Sequence, residues 1–143
     1  MLVVSACLAG ERCRYDGAMK PVQAVVDLVA RGEAVPVCPE VLGGLPTPRV
    51  PSERCGKYVV NAEGTDVTDA FVRGAKVAFA ICQERGCDAA VLKAKSPSCG
   101  CGLIYDGSFS RTLTEGNGVF AELLLAAGIP VRTEEDLSLE ALT

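Results

Sequence analysis

Residues 1–32, MLVVSACLAGERCRYDGAMKPVQAVVDLVARG, decide the fold. The short apolar run MLVVSA ends at Cys7, and the polar, glycine-containing loop CLAGERCRYDG follows it. PVQAVVDLVARG then carries a helical pattern, with Pro21 near its start and Gly32 as its stop. This is one strand-loop-helix unit, and the rest of the chain repeats its logic. EAVPVC (33–38) predicts a second strand, and CDAAVLKAK (87–95) a third. TDAFVRGAKVAFAICQERG (68–86) predicts a helix capped by Thr68 and closed by Gly86, with Phe71, Ala75, Ala78, Phe79 and Cys82 on one face. GNGVFAELLLAAG (116–128) predicts another helix, closed by Gly128. IPVRT (129–133) is a last strand, and EEDLSLEAL (134–142) a further helical stretch.

Between these units the pattern is weaker. The prolines and glycines of CPEVLGGLPTPRVPSE (38–53) predict a long irregular loop, and KYVVNAEGTDVT (57–68) a hairpin turning at Glu63 and Gly64. Strands alternating with amphipathic helices imply an α/β fold: a single domain over residues 1–143, built as a three-layer sandwich around a mostly parallel sheet. In such sheets ligands bind beyond the carboxyl ends of the strands. Cys7 ends the first strand, Cys38 ends the second and Cys99 lies just past the third, so three cysteines far apart in sequence are carried to one edge.

Composition narrows the chemistry available there. At 143 residues the chain can bury a core without cross-links, so its eight cysteines need not be a disulfide scaffold. Met1 leads straight into LVVSA, too short for a signal segment, and no apolar run approaches a membrane span. The expectation is a reducing cytoplasm, where clustered cysteines bind metal or catalyse more often than they bridge. A net charge of −4 with only three Tyr and four Phe gives neither a phosphate-binding stripe nor a base-stacking platform, so nucleic acid is not an expected partner. The absence of histidine removes the serine triad, the Cys-His pair and His-ligated metals.

The remaining candidates are weighed one by one. Thiolates gathered at one site repel unless they are protonated or metal-bound, whereas a lone cysteine commonly serves as a small buried hydrophobe. Cys82 on a helix face and Cys87 at a strand entry read as core. Cys7, Cys38 and Cys99 read as a site, with Cys13, Cys55 and Cys101 undecided. Three thiolates suit a zinc ion with a fourth ligand, or a cubane iron-sulfur cluster with one iron left open. Glu40 is a proton-handling group or an exposed loop carboxylate, and Ser96 a proton donor or a turn cap. Arg49, Lys93 and Lys95 bind an anion or are solvated charges. GNGVFA matches a dinucleotide fingerprint, but no clean strand leads into it; its helix start could still hold an anion.

SACLAGERCRYDG, VPVCPEVLGGLPTPRVPSE, KAKSPSCG, IYDGSFS and GNGVFAELL together resemble the successive motifs of a small bacterial domain family that includes thiouracil desulfidases. The resemblance runs from about Ser5 to Leu124. It implies a [4Fe-4S] cluster held by Cys7, Cys38 and Cys99, with substrate sulfur taken by the fourth iron and released without net redox chemistry. It also implies acid-base roles for Glu40 and Ser96. The expected partner is a small thiolated molecule such as 2-thiouracil, handled by a monomer or homodimer. Phe120 stands where the family pattern has a smaller polar residue, a departure that bears on pocket size. A persulfide or thiol-transfer enzyme and a zinc-binding structural domain are the alternatives.

Overall fold

In a computed structural model of the protein, residues 1–136 are described. Strands β1 (Leu2–Ser5), β2 (Ala34–Val37), β5 (Ala89–Leu92) and β8 (Val131–Thr133) form one sheet in the order β2-β1-β5-β8. Every pairing in it is parallel, with Val3 opposite Val35 on one side and Ala90 on the other. Such a sheet must be covered on both faces, and side-chain alternation divides its residues accordingly. Val3, Val35, Val37, Ala90 and Leu92 pack under helices α3 (Thr68–Arg85) and α4 (Val119–Ala126); Val4, Ala34 and Val91 pack against Val25 and Leu28 of α1 (Gln23–Ala30). The α/β three-layer architecture and the parallel sheet are as the sequence predicts. No described helix is long and apolar enough to cross a membrane.

Of the predicted face of α3, Phe71, Ala75, Ala78 and Cys82 are fully buried and Phe79 is half-buried, and Cys87, ahead of β5, joins the core with Ala75, Ala78 and Cys82. Phe120 is fully buried there too, against the sheet. Complete burial of a side chain of this size contributes about 1.5–3 kcal/mol. Buried in this core, Phe120 is not among the residues that line the cavity described below, so it does not set the size of that cavity.

Four local expectations are corrected. The loop after β2 is not irregular throughout: Pro39–Leu42 winds one helical turn, α2, because Pro39 occupies its first position, where the missing N–H costs nothing. Ser52–Cys55 then forms β3, which pairs antiparallel with β4 (Tyr58–Asn61). That hairpin turns at Gly56 and Lys57, with Gly56 at φ 59, rather than at Glu63 and Gly64. Around Gly64 the Asn61 side chain accepts the N–H groups of Glu63 and Thr65, closing a separate turn. Thr68 does not cap α3; its hydroxyl bonds to the backbone of Val59, and Asp66 accepts the N–H of Thr68 instead. A second hairpin, β6 (Leu103–Tyr105) with β7 (Leu113–Glu115), lies where no strand was expected. Of the final helical stretch, Glu134–Asp136 forms a 3₁₀ turn and residues 137–142 lie outside the described residues.

Candidate active site

Three neighbouring strands deliver three cysteines to one cavity of about 510 Å³. From β1 the chain enters a 3₁₀ turn, Ala6–Ala9, which carries Cys7; from β2 it passes Cys38, the extended residue that begins α2. From β5 it reaches the turn 96–100, where Gly100 N–H bonds to the Ser96 carbonyl and Cys99 sits at the bottom. Cys7, Cys38, Cys99, Glu40 and Ser96 all line this cavity. So does Cys13, left undecided by the sequence. Cys55 and Cys101 do not line it, and Cys101 donates to the Val131 carbonyl instead.

The thiols face each other closely enough to shape one another's ionisation. Cys13 is lowered by the hydrogen bond from Cys38, but its bond with Cys7 and burial outweigh that and raise it to about 11. Cys38 is held far above the ordinary thiol range by its bond to Cys13, with burial second. Cys99 is pushed up to about 12 by burial, against the opposing effect of the Ser5 and Ser98 hydroxyls. Left to themselves Cys13, Cys38 and Cys99 stay protonated. A bound metal centre reverses that logic by stabilising the thiolates.

The donor set fits the cluster that the family resemblance implies. Among the described residues no three Cys, Asp or Glu side chains converge as ligands of a single ion. Cys7, Cys38 and Cys99 line one cavity as soft sulfur donors, a donor type that iron-sulfur clusters and zinc both use.

Beside the thiols runs a chain of polar side chains. Ser98 Oγ donates to Glu40 Oε2 at 3.1 Å, and Ser96 Oγ lies 3.0 Å from Ser98 Oγ. Ser96 therefore reaches Glu40 only through Ser98. The Ser96 hydroxyl also accepts the N–H groups of Ser98 and Cys99, both at 3.1 Å, so it fixes the turn that presents Cys99. Ser98 was missed by sequence reasoning: SPSC offers two serines, and only the folded turn shows which of them meets the glutamate.

The other Glu40 oxygen is held by Arg49, whose Nε donates to Oε1 at 3.1 Å. Only 6% of the Arg49 side chain is exposed. Its Nη2 donates to the Cys13 carbonyl at 2.8 Å, and its Nη1 to the Pro46 carbonyl and the Thr47 hydroxyl. Arg49 is thus a clamp between the Cys13 loop and α2 rather than an anion receptor. Lys93 and Lys95 are likewise paired, with Glu134 at 2.8 Å and Glu135 at 3.2 Å.

The GNG segment has a structural use. Gly118, Val119 and Phe120 donate their N–H groups to the carbonyls of Gly100, Pro97 and Ser98, and Ala121 also donates to Ser98. The helix start is spent on the cysteine turn, which leaves no free N–H there for an anion or a dinucleotide. A side chain at Gly118 would collide with the backbone of Ser98 and Cys99.

Three cavity-lining residues, Lys95, Phe109 and Arg111, have left-handed backbones with φ of 66°, 56° and 61°. They are the only non-glycine residues with positive φ among the described residues. Each such residue costs about 1–3 kcal/mol, so local strain is concentrated on this cavity's wall.

Residues 2–136 match the 2-thiouracil desulfurase family. An uncharacterized protein of Bacillus subtilis (strain 168), YbbK, is 41% identical over 148 residues, covering 96% of this chain and 98% of its own. The solved structure of the [4Fe-4S]-dependent thiouracil desulfidase TudS is similar at a TM-score of 0.91 and 47% identity, over 95% of this chain and 91% of that one.

Proposed function

The chain belongs to the 2-thiouracil desulfurase family, and from that premise we propose that it hydrolyses the thiocarbonyl of a small thiolated heterocycle such as 2-thiouracil. Water replaces sulfur at the ring carbon, one C=S becomes C=O, and hydrogen sulfide leaves with no change in electron count. The observation that carries this reading is the meeting of Cys7, Cys38 and Cys99 with the Glu40, Ser98 and Ser96 chain in one cavity.

Cys7, Cys38 and Cys99 would hold a [4Fe-4S] cluster, which when bound supplies an open iron as a soft Lewis acid for thiocarbonyl sulfur. The rest is work for this chain's own side chains. Glu40 Oε2 takes a proton from the attacking water, being the strongest base among these groups. Ser98 Oγ, hydrogen-bonded to Glu40, relays the proton that Glu40 has taken to the departing sulfur, which leaves with both protons of the water as hydrogen sulfide, and Ser96 Oγ keeps Ser98 in that position through its bonds to the turn. Arg49 fixes the carboxylate plane through Oε1, which turns Oε2 toward Ser98 on the cavity side. The chain works as one desulfidase-like domain, and its eight free thiols suit a reducing, cytoplasmic setting.

The test is an anaerobic assay of reconstituted protein with 2-thiouracil and no reductant. Uracil and sulfide in equal amounts support the reading. A strict need for an electron donor overturns the hydrolytic route. A persulfide on a cysteine with no uracil formed favours sulfur transfer, and zinc instead of iron in anaerobically prepared protein favours a structural domain.

A further inference from the structure

We propose that the loop joining β6 to β7, residues 106–112, is the substrate-selecting wall of the cavity, and that Phe109 is the face on which the planar ring of the substrate lies. The inference rests on the desulfidase reading and names the feature of the substrate that the wall recognises.

Phe109 is 38% exposed, although it lines the same cavity as the three cysteines. Phe109 belongs to neither core cluster of the protein, and it shares the cavity lining with the charged Arg111, Lys95 and Glu53. Its backbone is held in a left-handed conformation that a bulky residue rarely adopts. The conformation is imposed from outside the loop: Glu53 Oε1, on β3, accepts the N–H of Gly107 at 3.0 Å and of Phe109 at 3.2 Å. Inside the loop, Asp106, Ser108, Ser110 and Thr112 are linked in series by their side chains. Gly107 lies against β3, where an added Cβ would come within 3.0 Å of Cys55 Cβ. The loop is therefore braced against a neighbouring strand, with its one aromatic residue presented to the cavity.

A benzyl ring carries no hydrogen-bonding group, so it cannot read the edge of a heterocycle. It can read flatness, because offset stacking needs a planar π-face. A wall of this kind favours aromatic or conjugated cyclic thiocarbonyls over acyclic ones of equal sulfur chemistry, such as thiourea.

The experiment compares wild type, Phe109→Ala, Phe109→Tyr and Phe109→Gly as reconstituted holoprotein, with cluster absorption recorded for each. Phe109→Ala should lower the ratio of kcat/KM for 2-thiouracil to that for thiourea by about tenfold, mainly through KM. Phe109→Tyr should restore it. Phe109→Gly relieves the left-handed backbone, so it should resist urea at least as well as wild type while losing the same discrimination; a merely structural Phe109 predicts the opposite. Calorimetric titration with uracil gives a readout independent of turnover, and binding should weaken in the Ala and Gly variants. An active wild type whose substrate ratio and uracil affinity are untouched by Phe109→Ala overturns this proposal and leaves the desulfidase reading standing. A wild type that binds uracil through Phe109 but forms no sulfide overturns the desulfidase reading alone. Binding of neither uracil nor 2-thiouracil by wild type overturns both.

Discussion

Ser98 Oγ donates to Glu40 Oε2 at 3.1 Å, and through that bond the turn after β5 meets the helical turn after β2. Each residue neighbours a cysteine of the site: Ser98 precedes Cys99, and Glu40 follows Cys38 by two positions. The elements that would hold the cluster therefore also hold the proton chain in register with it.

The first expectation separates the three members of that chain. Glu40→Gln keeps an oxygen for Arg49 but turns an amide toward Ser98, so cluster absorption should persist while turnover falls about 10²-fold to 10⁴-fold. Ser98→Ala removes a hydroxyl and leaves the turn's backbone bonds in place, so turnover should fall with the cluster retained. Ser96→Ala strips the acceptor from two N–H groups of the turn. It should cost about 1–3 kcal/mol in urea unfolding and shorten the lifetime of the cluster. Equal stability of the two serine variants would show that Ser96 does not hold the turn.

Arg49 gives the second. Its guanidinium serves Glu40, Cys13, Pro46 and Thr47 at once, a fork that a lysine cannot reproduce. Arg49→Ala leaves the Glu40 carboxylate without its ion-pair partner in a largely buried place and should destabilise the protein by about 3–5 kcal/mol. Arg49→Lys should recover only part of that. Urea midpoints measure the stability, and bleaching of the cluster under a chelator measures how firmly the Cys13 loop stays closed.

The sheet was legible in the sequence because parallel strands buried on both faces leave apolar runs, and the first two such runs here end in a cysteine: MLVVSA at Cys7, EAVPV at Cys38. The same reasoning located Cys99 and set Cys82 and Cys87 apart as core. Where pairing depends on turn geometry, the sequence says less. The β3 strand, SERC, has no apolar alternation, so the hairpin was placed one turn too late, and β6 and β7 are three residues each, too short for a periodic signal. The choice between Ser96 and Ser98 was beyond sequence altogether, because it depends on which hydroxyl the 96–100 turn swings toward α2.

Two close backbone approaches supply the third expectation. A side chain at Gly74 would strike the Pro39 carbonyl, and one at Gly43 the Ala70 carbonyl. Helix α3 thus lies against α2 with only hydrogens between them, and α2 is the element that positions Cys38 and Glu40. Gly74→Ala must push α2 away and should cost at least the about 1–3 kcal/mol typical of overpacking. Gly118→Ala should do the same at the Cys99 turn. Both variants should assemble less cluster per chain than wild type under identical reconstitution, as read by iron analysis. Gly32→Ala, with nothing within 4 Å of its added Cβ, should lose stability through its φ of 74° alone and keep its iron content.

Alkaline stability provides the last. Cys82 is fully buried in α3, and burial raises its pKa from 9.0 to about 12, with Cys87 adding to the shift. A thiol whose folded pKa exceeds its unfolded one binds its proton more tightly in the native state. The resulting stability is fully present below pH 9 and is lost as pH climbs toward 12. The urea midpoint should therefore be flat with respect to Cys82 up to about pH 9 and then decline, because unfolding releases a proton that the folded chain keeps. Cys82→Ala leaves a small cavity and begins from a lower midpoint, yet it should decline less steeply above pH 9. Iodoacetamide gives a site-resolved check: exposed Cys55 should be alkylated readily at pH 8, whereas Cys82 should react only after unfolding. Parallel slopes for wild type and Cys82→Ala would assign the alkaline transition to other groups.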